Sequence, residues 1–441
     1  MPPAGPDMAP LPWEATMSKR RSRRVPLLIG MTLAAVLAAC IPPLSALIVP
    51  ISGGAFENPA LDDQPHRVDL LLPPGTSPTD TLPTIYFLHG FLPGAGPADM
   101  DLAVDLAADR FRVLMRCLYR QNDDGSDICA PGIDAHDCAA ACIEAANIST
   151  DGDAFLAELG APPGSELIPR FAIVVGNYMR GYYVDRNAGA EGYYPPNDQP
   201  GAPLRKGATG AYEQALVEVV DAIETGGYPV ETGPSARRFA LGQSMGAYGA
   251  VRIALDPDLP VSFSGVAAQS GFFDPSGFIN NYNLNIFSTL LQTAPEVFDV
   301  FGFGVPSLFT ILTVPGFLDD PGNFFDLDFI ADHDPIQLAS QPGGPLPPMH
   351  LEVGSCEGGP CANPDPNAAG LIEAFNFHES NRALCEAIDA RNGLGVATVR
   401  LEGRHEESTW TPHLGAALGF FAQIVRNEQL PEMDCEAFNA P

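Results

Sequence analysis

Gly242-Gln243-Ser244-Met245-Gly246 follows the apolar run Arg238-Phe239-Ala240-Leu241 and precedes the small-residue stretch Ala247-Tyr248-Gly249-Ala250. This order predicts a strand, a tight turn and a helix, with a turn so sharp that glycine is needed on either side of the central serine. In such a turn the serine is held in a strained conformation with its hydroxyl exposed above the sheet. The next backbone N–H lies at the helix start, where it can stabilise an oxyanion. Ser244 is therefore the candidate nucleophile and Met245 a candidate oxyanion-hole donor. Small residues with this spacing also occur in ordinary strand-to-helix turns, so partners elsewhere in the chain have to decide the reading.

A nucleophile in this setting needs an acid and then a histidine, in that chain order, each at the end of a later strand. Among eight histidines, His405 fits. It follows the alternating run Val396–Leu401 and the turn Glu402-Gly403-Arg404, and it precedes a helix expected to begin with Thr411 as cap and Pro412 in the first turn. His413, at the start of that helix, reads as a surface residue. The acid is expected after the strand Pro348–Val353, in Gly354-Ser355-Cys356-Glu357. Glu357 is the choice, with Asp365 in the same loop as the alternative; its role is to fix the histidine tautomer and stabilise the imidazolium. The second oxyanion donor is expected at Phe91, because the buried run Pro83–Leu88 ends in His89-Gly90-Phe91. His89 lies upstream of the serine and reads as a structural hydrogen-bonding residue.

Further apolar runs at 171–175 and 261–266, and the helical face Leu216, Val219, Val220 and Ile223, extend an alternation of strands and helices. The implied fold class is α/β, a mostly parallel central sheet with helices on both faces. One catalytic domain over residues 61–430 is expected, after an export segment at 1–40 and a linker at 41–60, with 431–441 as a C-terminal tail. Two insertions interrupt the alternation. Residues 117–165 carry Cys117, Cys129, Cys138 and Cys142 and read as a disulfide-pinned excursion. Residues 272–345 read as a cap, and the stretch 272–330 alone holds 12 of the chain's 25 phenylalanines. Such a cap buries an apolar underside, part of which can line an acyl or aromatic pocket.

Leu88-His89-Gly90, Tyr182-Tyr183-Val184-Asp185, Gly242–Gly246, Asn381-Arg382-Ala383-Leu384 and Gly403-Arg404-His405 ending near Trp410 together resemble the esterase D branch of the α/β-hydrolases. That branch includes feruloyl esterases, S-formylglutathione hydrolases, siderophore esterases and mycolyltransferases. The likeness covers roughly residues 60 to 428. In the family the acid follows a Gly-Thr-x-Asp-like turn, which Gly354–Glu357 matches with Glu in place of Asp. Where the family shows a double glycine before the histidine, this chain has Gly403-Arg404.

The N-terminus speaks for export. Lys19-Arg20-Arg21-Ser22-Arg23-Arg24 precedes the apolar run Val25–Ala39 and then Cys40, with Met17 as a plausible start. Leu37-Ala38-Ala39-Cys40 resembles a bacterial lipobox, which implies acylation of Cys40, and Ser22–Leu28 is similar to a twin-arginine signal. An uncleaved anchor is the alternative, against which Pro42, Pro43 and Pro50 interrupt the apolar continuation. Of nine cysteines, setting aside Cys40 leaves eight, an even number suited to an oxidising compartment. The simplest pairings are Cys356 with Cys361, Cys385 with Cys435, and the upstream four among themselves. Paired two-residue spacing with nearby histidines is missing, so no metal site is expected.

With 54 acidic against 23 basic side chains the net charge is −31, and the basic cluster lies in the export segment, which excludes nucleic acid as an expected partner. These readings converge on an exported serine hydrolase of carboxylic esters, a cell-envelope lipoprotein or secreted protein, acting on a small-molecule or polymer ester without a cofactor. The alternatives are an acyltransferase of the mycolyltransferase type and a non-catalytic lipoprotein binding module on the same fold.

Overall fold

Short runs of β-branched and small apolar residues, with no polar alternation, suit strands covered on both faces. The computed structural model describes residues 47–48, 68–90, 97–122, 126–160, 168–176, 192–194, 205–207, 212–276, 331–355, 377–401 and 407–439. Its strands are β1 (Leu47–Ile48), β2 (Val68–Leu71), β3 (Thr84–Leu88), β4 (Ala172–Gly176), β5 (Gly192–Tyr194), β6 (Arg205–Gly207), β7 (Arg238–Gln243), β8 (Gly265–Gln269), β9 (Met349–Ser355) and β10 (Gly395–Leu401). Eight of them form one sheet in the order β1-β2-β4-β3-β7-β8-β9-β10, and β5 and β6 pair separately. From β4 through β3 to β10 every pairing is parallel; β2 joins β4, and β1 joins β2, antiparallel. The fold is that of an α/β-hydrolase.

Helices cover both faces. One side carries α4 (Tyr212–Thr225), α5 (Met245–Leu255), α6 (Pro335–Ser340) and α7 (His378–Asp389); the other carries α1 (Pro97–Tyr119), α2 (Ala135–Ala145), α3 (Gly152–Glu158) and α9 (Leu414–Val425), with α8 (Glu407–Trp410) just before it. The face expected on α4 is the one buried: Leu216, Val219, Val220 and Ile223 are each at most 2 % exposed. At about 1.5–3 kcal/mol for each fully buried aliphatic side chain, this stripe fixes how the helix lies on the sheet.

The alternation of apolar layers follows strand parity. Met349, Leu351 and Val353 of β9 belong to the α4–α7 side, whereas Phe239 and Leu241 of β7 pack with Phe420 and Phe421 of α9 on the other. The Cys-rich segment joins that second layer: Ala139, Ile143, Phe155 and Leu156 are buried in the same core as Phe239. Disulfides Cys117–Cys142 and Cys129–Cys138 tie it together.

Several boundaries differ from the sequence expectation. β8 starts at Gly265 rather than Val261, because a strand between β7 and β9 is covered on both faces and the small run Gly-Val-Ala-Ala suits that slot, while Ser262 stays exposed. Leu47–Ile48, within the expected linker, pairs with Leu70 and Asp69 of β2 and so belongs to the same sheet. The expected tail also packs on the domain. Met433 and Phe438 are buried in the core, and Cys435 is bonded to Cys385 of α7, closing a separation of 50 residues and stabilising by about 4 kcal/mol through the unfolded chain. Thr411 is not a helix cap: it opens the 3-10 turn Thr411–His413 between α8 and α9, since Pro412 suits a first-turn position there.

Candidate active site

The turn between β7 and α5 is built around one strained residue. Ser244 has φ 54° and ψ −117°, a region that costs a non-glycine residue on the order of 1–3 kcal/mol. Its neighbours explain why the chain tolerates it. A Cβ on Gly242 would collide with the Gly246 carbonyl, and one on Gly246 would collide with the Leu88 carbonyl of β3. Removing both side chains lets strand, helix and adjacent strand approach closely enough to over-determine the turn. The Ser244 N–H donates to the Gln269 carbonyl of β8 at 2.9 Å, and the Ser244 carbonyl accepts from Ala247 and Tyr248 at 3.0 and 3.2 Å. Ser244 is half-buried at the strand tip, and Met245, itself buried, is the first residue of α5. The first N–H groups of a helix have no intrahelical acceptor, so this end favours negative charge.

The end of β3 comes up beside the serine. A Cβ on Gly90 would lie 3.2 Å from the Gln243 carbonyl and 3.3 Å from the Ser244 Cβ, so glycine keeps this approach open. His89 is buried, and its Nδ1 pairs with the Gly90 carbonyl at 2.9 Å. Burial lowers its pKa to about 4, against a smaller raising effect of that hydrogen bond, so the ring is neutral at pH 7. A neutral, buried imidazole bonded to the adjacent backbone suits the structural role expected from sequence.

Beneath Ser244, the strand tips carry a chain of buried polar side chains that sequence reasoning missed. Gln243 Nε2 donates to Gln269 Oε1 at 2.9 Å, and Gln269 Nε2 donates to Glu352 Oε1 at 3.1 Å and to the Trp410 carbonyl at 3.2 Å. Arg400 grips Glu352 Oε2 through Nε at 3.0 Å and a terminal nitrogen at 2.9 Å, and reaches Glu158 of α3 at 2.7 Å. Burial alone would raise the Glu352 pKa. The His350 imidazole and the charges of Arg400, His350 and His413 outweigh it and hold the carboxyl below its ordinary value. His413 departs from the expected surface role: it is half-buried and its Nδ1 lies 3.1 Å from Glu158 Oε1. The signal available in sequence was a polar residue closing an apolar run, as at Gln269, or alternating within one, as at His350 and Glu352.

Of the other expected site residues, Phe91, Glu357 with its alternative Asp365, His405 and Cys40 lie outside the described residues, as do Cys356 and Cys361. The bounding segments are described: β10 ends at Leu401 before His405, and α8 begins at Glu407 after it. Most of the expected cap, 277–330, also lies outside them, yet its two stems meet. The Ser276 N–H donates to Asp334 Oδ2 at 3.2 Å, and Asp334 also caps α6. Tyr248 of α5 donates to the His333 carbonyl at 2.6 Å, which ties these stems to the helix that follows Ser244. Among the described residues, no group of three or more His, Cys, Asp or Glu is arranged to hold a metal, and no helix is long and apolar enough to cross a membrane.

The chain matches the family model Esterase, described as "Putative esterase", over residues 183–421, more than half of its length. No curated protein sequence matches it. Among solved structures it is similar to Mycobacterium tuberculosis MPT51 (FbpC1), at 16% identity and TM-score 0.44, covering 87% of this chain and 100% of that one. It is also similar to esterase B from Lactobacillus rhamnosis (12%, TM-score 0.42, 91% and 96%) and an S-formylglutathione hydrolase from Agrobacterium tumefaciens (12%, TM-score 0.38, 85% and 96%). The matched family segment contains the Ser244 turn, the buried polar chain beneath it and strands β7 to β10, and on that match the chain belongs to the Esterase family.

Proposed function

We propose that this protein is an exported serine esterase that cleaves carboxylic esters through an acyl-enzyme. The observation that carries the reading is Ser244 held at positive φ on the tip of a parallel strand, where α5 begins. In this mechanism Ser244 Oγ attacks the ester carbonyl carbon while His405 accepts its proton. The Phe91 and Met245 N–H groups hold the oxyanion. His405 returns the proton to the departing alkoxide as the carbon–oxygen bond breaks; water, deprotonated by His405, then attacks the acyl carbon, and His405 gives that proton to Ser244 Oγ as the bond to the serine breaks and the carboxylic acid leaves. Glu357 accepts the imidazole N–H and fixes its tautomer. No cofactor enters any step.

Export is supported by the basic, apolar and Cys40-terminated N-terminal pattern and by the three disulfides among the described residues, since such bonds persist in oxidising compartments. Acylated Cys40 would hold the enzyme at a membrane surface. The test is hydrolysis of p-nitrophenyl esters from acetyl to long acyl chains by wild type and Ser244→Ala. Turnover by wild type and a loss on the order of 10⁶-fold in the variant are expected. A variant that keeps a tenth of the activity would sink the assignment.

A further inference from the structure

Gln269 is bonded at once to the Ser244 turn, to Glu352 and to the Trp410 segment. It is completely buried at the tip of β8, paired across the sheet with Gln243 on one side and Glu352 on the other. Its backbone carbonyl accepts the Ser244 N–H at 2.9 Å. Its side-chain oxygen accepts from Gln243, the residue before the serine, and its side-chain nitrogen donates to Glu352 and to the Trp410 carbonyl. The next residue repeats the pattern. Ser270, at φ 53°, donates its N–H to the Glu352 carbonyl at 2.6 Å and accepts the Trp410 indole N–H on Oγ at 3.0 Å.

Two consecutive residues thus bind three segments: the elbow, the strand leading to the acid, and α8, which begins two residues after His405 in the chain. Core packing alone would not select this arrangement. An amide in a wholly buried slot costs stability unless each of its polar atoms is bonded, and an apolar residue of similar size would fill the space without that cost. A residue that demands all its partners fixes one relative position of those segments.

We propose that Gln269, supported by Ser270, is a positioning residue that sets the register between the nucleophile turn and the Trp410 segment. This role rests on the serine-esterase reading above. Neither side chain touches substrate. What they govern is geometry, and a misplacement of about 1 Å at reacting groups can cost about 100-fold in rate.

The test is Gln269→Met, which keeps the volume and removes the side-chain bonds, assayed on a p-nitrophenyl ester with the active sites titrated by a fluorophosphonate. Titration separates fewer working sites, the signature of structural damage, from slower ones. The expected result is kcat per titrated site lower by about 10- to 100-fold, with KM within about twofold. Ser270→Ala removes only the acceptor of the indole N–H, and about 3- to 10-fold in kcat per site is expected; it decides the matter if Gln269→Met does not fold. Per-site kcat within threefold of wild type in Ser270→Ala and in any folded Gln269→Met overturns the positioning role and leaves the esterase reading intact. Failure of wild type to react with the fluorophosphonate overturns both.

Discussion

Both faces of β7–β10 carry apolar layers, but toward the strand tips they are built on opposite principles. On the α4–α7 side, β9 presents Met349, Leu351 and Val353 to an apolar layer with Ala268 of β8 and Ala240 of β7. On the opposite side, one residue away in the same strands, stand Gln243, Gln269, Glu352 and Arg400, joined end to end by hydrogen bonds. The apolar face needs volume and shape. The polar face needs each partner present, because a buried group deprived of its bond keeps its full desolvation cost. The contrast is steepest at the strand tips, where Ser244 sits, so order there is maintained by directional bonds rather than by packing alone.

Substitutions on the two faces of β9 should separate these behaviours. Glu352→Met removes the carboxylate that Arg400, Gln269 and His350 surround and leaves buried donors unmatched. About 3–5 kcal/mol of stability should be lost in urea unfolding. A loss below about 1 kcal/mol would show that the polar face is as tolerant as the apolar one.

His89 extends the argument to pH. Its folded pKa of about 4 lies below the ordinary 6.5, so between these values the unfolded chain binds a proton that the folded one excludes. Stability is therefore full above pH 6.5 and falls as pH drops toward 4, by up to roughly 3 kcal/mol from this residue. The lowered Glu352 pKa adds a loss of the same sign at still lower pH, as its carboxylate becomes protonated. His89→Asn should flatten the dependence between pH 6.5 and 4, read from urea midpoints across that range. An unchanged slope would mean that His89 titrates normally. The smallest effect belongs to the apolar face: Met349→Leu conserves volume and should cost under about 1.5 kcal/mol in the same measurement.

Legibility in the sequence followed the range of the interactions. The elbow could be read because its requirement is local: a turn that bars a Cβ at Gly242 and Gly246 forces the residue type at those positions. The central strands and the buried face of α4 could be read because apolar runs and helical spacing leave a periodic trace. Cys385 and Cys435 were paired correctly although 50 residues apart. The start of β8 was misplaced because Val261–Ser264 has the alternation of a strand, and only the neighbours on both sides show that the slot takes Gly265–Gln269. Thr411 misled because Thr-Pro is a helix-start signal that here opens a 3-10 turn. The polar chain was not legible because its partners lie far apart in sequence: Gln269 meets Glu352 across 83 residues and Trp410 across 141. Of the expected site, the described residues hold the turn, with Ser244 at its apex and Met245 opening α5; the roles of these two and of their proposed partners rest on sequence order.

Whether Ser244 is a covalent nucleophile is decided by peptide mapping after reaction with a fluorophosphonate. Cleavage after Arg238 and Arg252 releases Phe239–Arg252, in which Ser244 is the one serine. A single adduct on that peptide is expected, approaching one per chain and abolished in Ser244→Ala; an adduct on another peptide, or its persistence in the variant, would show that Ser244 is not the nucleophile.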